Sequence, residues 1–117
     1  MLKLTHTVLN QDVTVATYSS IGDYSILNKS ASVSDYVSIG SHVTIGQQDW
    51  IGSHVVIGDG TSIDQSAVIC SGAKVGTNVV IGRNVLIQTN AVVTDGSGVT
   101  APVGSGIPSP TQCVPAS

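Results

Sequence analysis

Aliphatic residues return along this chain at every sixth position. From Ile39 the series Ile45, Ile51, Ile57, Ile63, Ile69, Val75, Ile81 and Ile87 runs unbroken. It extends back through Val33, Leu27, Ile21, Val15 and Leu9, and forward to Val93 and Val99. Glycine often follows, at Gly40, Gly46, Gly52, Gly58, Gly76 and Gly82. A helix repeats at roughly 3.6 residues and an amphipathic strand at every second residue, so neither produces a strict six. A short fixed period marks stacked repeats, and this one predicts an all-β chain wound as a parallel β-helix.

Each hexad reads as a large aliphatic, a small or turn-tolerant residue, two mostly polar residues, a small residue and a variable one. Strand alternation aims the small residue and the next aliphatic inward, with the variable residue between them facing out. The residue after the aliphatic (Asn10, Gly22, Asn28, Asp64) is expected to take the left-handed angles of the turn. In chains with this repeat three hexads close a coil of 18 residues, so residues 18 apart stack about 4.8 Å from one another. One corner then stacks Tyr18, Tyr36, His54, Gly72 and Asn90, and a second stacks His6, Tyr24, His42, Gly60 and Asn78. All the tyrosines and histidines fall on these two ladders, where ring stacking and polar turn packing are the plain expectation.

One outward face carries Thr14, Ser32, Trp50, Val68 and Leu86. Its Trp50–Val68–Leu86 stripe is the most apolar exposed patch on the map, which predicts a subunit contact. Asp49 breaks the code, since its inward slot elsewhere holds Val, Ala, Ser or Thr. A carboxylate there needs a partner, a shifted pKa or a way out. A local bulge turning Asp49 outward is the expectation, with a buried functional carboxylate beside Trp50 as the alternative.

These readings divide the chain into a cap strand over 1–8, a β-helix of about five coils over 9–104, and a tail over 105–117. Pro102, Pro108, Pro110 and Pro115 oppose ladder pairing after Val99. With three Tyr, one Trp and no Phe, the core must be aliphatic. Only 9% of residues are charged and the net charge is −3, which argues against electrostatic nucleic-acid binding. No apolar run approaches the roughly 18 residues of a membrane span. The opening Met-Leu-Lys-Leu-Thr-His lacks a signal-peptide apolar region, so a cytoplasmic protein is expected, with an extracellular fibre as the other setting. Cys70 and Cys113 are too few for a disulfide framework and are read as free thiols.

The repeat resembles the left-handed parallel β-helix of the hexapeptide-repeat acyltransferase superfamily over residues 9 to about 108, and left-handedness comes from that resemblance. A second likeness lies at the end, where Ala91-Val92-Val93-Thr94-Asp95 and then Val103-Gly104-Ser105-Gly106-Ile107-Pro108-Ser109 follow the closing pattern of these enzymes. One extra residue separates the two parts and the final basic residue is missing. The sugar O- and N-acetyltransferases look closest. The resemblance implies a homotrimer with acetyl-CoA as cosubstrate in a cleft between subunits. It also implies a histidine general base acting on a hydroxyl or amine acceptor, and no metal. His54 is the first candidate for that base, because its corner borders the Trp50 face, and His42 is the second. Both stand one residue later than the family's usual Val-x-His-Asp pattern, and no Asp follows either. Asp49, Trp50, Val68 and Leu86 would line the substrate and subunit contact.

Two other readings share the repeat. Residues 60–70 faintly resemble the segment before the first metal-ligand histidine of γ-class carbonic anhydrases, but Cys70 stands in its place. The third is a non-catalytic structural solenoid, a scaffold subunit or an end-to-end filament. The unbroken hexad count and the lack of inserted loops support it.

Overall fold

The computed structural model describes residues 6–100. Each hexad in this span contributes one two-residue strand, and three sheets result. The first orders β1 (Val8–Leu9), β4 (Ile26–Leu27), β7 (Thr44–Ile45), β10 (Ser62–Ile63), β13 (Val80–Ile81) and β16 (Gly98–Val99). The second, the Trp50 face, orders β2 (Thr14–Val15), β5 (Ser32–Val33), β8 (Trp50–Ile51), β11 (Val68–Ile69) and β14 (Leu86–Ile87). The third orders β3 (Ser20–Ile21), β6 (Ser38–Ile39), β9 (Val56–Ile57), β12 (Lys74–Val75) and β15 (Val92–Val93). All pairs are parallel and join residues 18 apart, as in Trp50↔Val68↔Leu86. The chain is an all-β parallel solenoid of about five coils, as its period predicts.

The sixth-position aliphatics from Ile21 to Val99 are buried, and the fifth-position residues from Ser19 to Val85 are buried beside them. Burying each large side chain stabilises the fold by roughly 1.5–3 kcal/mol. Polar members of the inner row are held by the neighbouring coils. Ser25 donates to the Gly40 carbonyl at 2.9 Å and accepts the Val43 N–H at 3.2 Å. Thr61 repeats this with Gly76 and Val79, and Ser19 with Ser34 and Val37.

The left-handed backbone angles fall elsewhere than expected. They belong to the residue closing each turn, such as Asp12, Tyr24, Tyr36, His42, His54, Asn78 and Asn90, and not to Asn10, Gly22, Asn28 or Asp64. Glycine after the aliphatic serves close approach instead. A Cβ on Gly46 would lie 2.6 Å from the Asp64 carbonyl carbon, so the next coil's backbone occupies that space.

The cap residues 1–5, the tail 105–117 and the closing residues 103–109 fall outside the described residues. No helix among the described residues is long and apolar enough to cross a membrane.

Candidate active site at two coil corners

His54 and His42 each close a turn, with φ of 61° and 60°. A bulky residue in this region carries strain of order 1–3 kcal/mol. Stacking offsets part of it. The His54 ring lies 5.2 Å from that of Tyr36, which lies 5.5 Å from Tyr18. His42 lies 5.3 Å from Tyr24, and Tyr24 lies 5.0 Å from His6. Such pairs contribute about 0.5–1.5 kcal/mol each.

Both ladders then change character. Gly72 follows His54 and Gly60 follows His42, each at φ 74°, and Asn90 and Asn78 come next at φ 61° and 54°. The series Tyr36-His54-Gly72-Asn90 thus repeats Tyr24-His42-Gly60-Asn78 at an offset of 12 residues. That coincidence was legible in the sequence, but only by laying the two corners side by side. In each series the histidine is the last ring, and the next coil has no side chain at that corner. Both imidazoles are exposed at the surface. Their backbone N–H groups bond to the Asp35 and Asp23 carbonyls, so those aspartates hold the turns.

The two ladders border the β3-β6-β9-β12-β15 sheet, and the His54 ladder also borders the Trp50 face. The structure therefore brings His54 and Trp50 into one coil at adjoining positions, with His42 one corner further along. The Trp50 stripe has the expected register, but its exposure grades along the solenoid. Trp50 is 40% exposed, Val68 is half-buried and Leu86 is only 4% exposed. Leu86 is therefore not part of an open patch.

Asp49 overturns the expected bulge. Strand β8 is regular, and Asp49 points inward at 1% exposure, away from its neighbour Trp50. Its Oδ1 accepts the Ala67 N–H and its Oδ2 the Gly46 N–H, both at 2.7 Å. Burial pushes its pKa up to about 7, against the two backbone N–H groups that favour the anion, with Asp64 adding a smaller push in the same direction. Such a residue touches core and turn, not a surface substrate. Cys70 is likewise not the free thiol expected of it: it is buried and disulfide-bonded. Among the described residues no group of three or more His, Cys, Asp or Glu could hold a metal.

Three sheets, 18-residue coils and aromatic corners define the class as a parallel β-solenoid with hexapeptide periodicity. Several solved structures share this fold. PerB from Caulobacter crescentus, in complex with CoA and GDP-perosamine, matches with a TM-score of 0.81 at 19% identity, over 86% of this chain and 49% of that one. A hexapeptide-repeat acetyltransferase from Vibrio cholerae matches at 0.67 and 23% identity, over 81% and 69%. AntD, an N-acyltransferase from Bacillus cereus in complex with dTDP and coenzyme A, matches at 0.69 and 13% identity, over 88% and 75%. The chain spans about half the length of PerB. No family model and no curated protein matches it.

Proposed function

We propose that this chain is an acyltransferase of the hexapeptide-repeat type, moving an acetyl group from acetyl-CoA to a hydroxyl or amine of a small, sugar-like acceptor. The observation that carries this reading is the exposed His54 at the border of the Trp50 face, on a solenoid shared with CoA-bound transferases. A neutral imidazole takes a proton near pH 7, so His54 would accept the acceptor's proton as its oxygen or nitrogen attacks the thioester carbon. The C–S bond then breaks, and the imidazolium returns the proton to the leaving thiolate. Turn N–H groups at the same corner supply donors for the transient oxyanion. His42 is the second candidate base.

The reading includes a homotrimer in the cytoplasm, with Trp50 and Val68 in the contact between copies. An exposed tryptophan in line with a valine on a flat β face supports such a contact. Calorimetry with acetyl-CoA tests the proposal. Binding that persists in His54→Ala while turnover collapses supports it, and no binding at millimolar ligand overturns it.

A structural solenoid is the second reading. Every strand-to-strand connection in the described span has four residues, so no loop is set aside for an acceptor pocket. Light scattering and negative-stain microscopy separate the two, since filaments favour the scaffold and a discrete trimer the enzyme.

A further inference from the structure

Two columns of stacked rings stop on a histidine. At one corner His6, Tyr24 and His42 stack, and Gly60 follows one coil on. At the other Tyr18, Tyr36 and His54 stack, and Gly72 follows. One face of each terminal imidazole meets a tyrosine, and the opposite face looks onto a level without a side chain. Neither usual reason for glycine applies there. The left-handed angle, φ 74° at both glycines, is no obstacle, since Tyr36, His54 and Ser66 hold 63°, 61° and 61° at equivalent turn positions. Close approach of backbone is not the reason either. A Cβ on Gly60 or Gly72 would first meet the side-chain Oδ1 of Asn78 or Asn90, with their backbone nitrogens at 3.9 and 3.8 Å. The third corner carries no rings, and at this level it keeps a side chain, Ser66.

An amide borders each gap. Asn78 and Asn90 lean back by one coil, so that their Oδ1 atoms take the root of the missing side chain and leave the rest of the ring position open. Among the described residues neither of these side-chain amides has a hydrogen-bond partner, whereas Asn10 and Asn28 at the third corner bond to each other at 3.1 Å. A flat ring entering the gap continues the column. It rests one face on the imidazole and turns an edge to the amide. Aromatic rings stack at about 4.5–7 Å between centroids, and these columns already space theirs at 5.0 to 5.5 Å. A carboxamide pairs with a ring edge that sets a donor beside an acceptor, as adenine does.

We propose that the gaps at Gly60 and Gly72 bind a flat nitrogen heterocycle of the nucleobase class, stacked on His42 or His54 and hydrogen-bonded at its edge by Asn78 or Asn90. Stacking accepts any base, because every base has a π-face. The amide restricts the choice to rings with nitrogen donors and acceptors at the edge. The two gaps differ in charge. The exposed Asp59 directly precedes Gly60 and repels a phosphorylated ligand, while the uncharged Ser71 precedes Gly72. An uncharged nucleoside suits both. The inference stands on the ring columns and not on acyl transfer.

Adenosine titrated into the full chain, followed by NMR of the histidine ring protons, tests this. Ring-current shifts of the His42 and His54 signals that saturate in the millimolar range are expected. Gly72→Tyr fills one gap with a ring that the same column already holds at Tyr36, and should abolish the His54 response while sparing that of His42. Gly60→Tyr should do the reverse. Asn90→Ala, an exposed change that leaves the turn in place, should weaken adenosine at His54 roughly tenfold. Thermal melts of the same variants tell a lost site from a lost fold. Signals of both histidines that stay still up to the solubility limit of adenosine would overturn the proposal. So would shifts that survive both gap-filling variants, since the ligand then lies elsewhere, or an Asn90→Ala protein that binds as tightly as the wild type. Acetyl-CoA takes no part in the readout, so this site and the acyltransferase reading fail independently.

Discussion

Asp49 reaches across one coil to accept the N–H of Ala67, 18 residues on, at 2.7 Å. Ser19, Ser25 and Thr61 do the same for Val37, Val43 and Val79 through hydroxyls. The carboxyl adds a bond those hydroxyls do not make. It captures the Gly46 N–H, whose counterparts at Gly40, Gly52 and Gly58 bond to carbonyls of the next coil.

This geometry makes stability depend on pH in a defined direction. The folded pKa of Asp49, about 7, lies above the ordinary 3.8, so the folded chain holds the proton more tightly than the unfolded chain. The stabilisation is complete below the ordinary value, is lost as pH rises toward 7, and is absent above it. Against Asp49→Asn, the wild type should lose up to about 1.4 kcal/mol per pH unit between pH 4 and pH 7. Urea melts at pH 4, 5.5 and 8 check this, and a pH-independent difference between the two proteins refutes it.

Removing the carboxyl tests its structural role separately. Asp49→Ala leaves the buried Ala67 N–H without its acceptor, while Gly46 regains access to the next coil. The expected cost is about 1–3 kcal/mol by denaturant unfolding. No loss of stability would mean that the two bonds contribute nothing net.

His54→Ala should lower turnover by about 10²–10⁴-fold, the usual span for a general base. Because His54 is exposed and stacks on one ring, stability should fall by no more than about 1.5 kcal/mol. Steady-state kinetics and a thermal melt on the same preparation separate the two effects. If turnover follows His42→Ala instead, the second ladder holds the base.

Trp50→Lys should weaken self-association by about 2 kcal/mol or more, as for a central aromatic in a contact. Sedimentation velocity over a concentration series reads this directly. An unchanged distribution moves the contact to another face.

Gly46→Ala should cost about 1–3 kcal/mol, because the added methyl meets backbone that cannot move independently. Gly98→Ala, with nothing within 4 Å of the new carbon, provides the control and should change stability by less than about 0.5 kcal/mol. Equal effects would contradict close approach as the reason for glycine.

The fold was legible because one rule governs every coil. The sixth-position series fixes the strand, its facing and its neighbour, and the Trp50–Val68–Leu86 register follows by arithmetic. What the period could not supply came from outside it. Asp49 looked too polar for the interior because the two N–H donors that receive it lie three residues back and a full coil away. The turn glycines looked like left-handed positions because a six-residue pattern shows that a small residue is required without showing why. Leu86 looked exposed because the repeat gives which way a side chain points and not how far each outward position is covered, and it is 4% exposed. His54 and His42 were found as a pair, but their shared Tyr-His-Gly-Asn context appears only when one edge is compared with the next.

The 18-residue bond span also makes the chain's length discrete. Adding a whole coil would lengthen the prism and leave every edge as it is. Adding one hexad keeps inside and outside intact but turns all later residues by a third of a revolution, so Gly72 and Asn90 would leave the edge of His54 for another. Adding a single residue exchanges the buried and exposed rows from that point on. Length added within the coils therefore preserves every edge in steps of 18 and alters surface chemistry in steps of six, while a single added residue exchanges the rows unless a turn absorbs it as a loop.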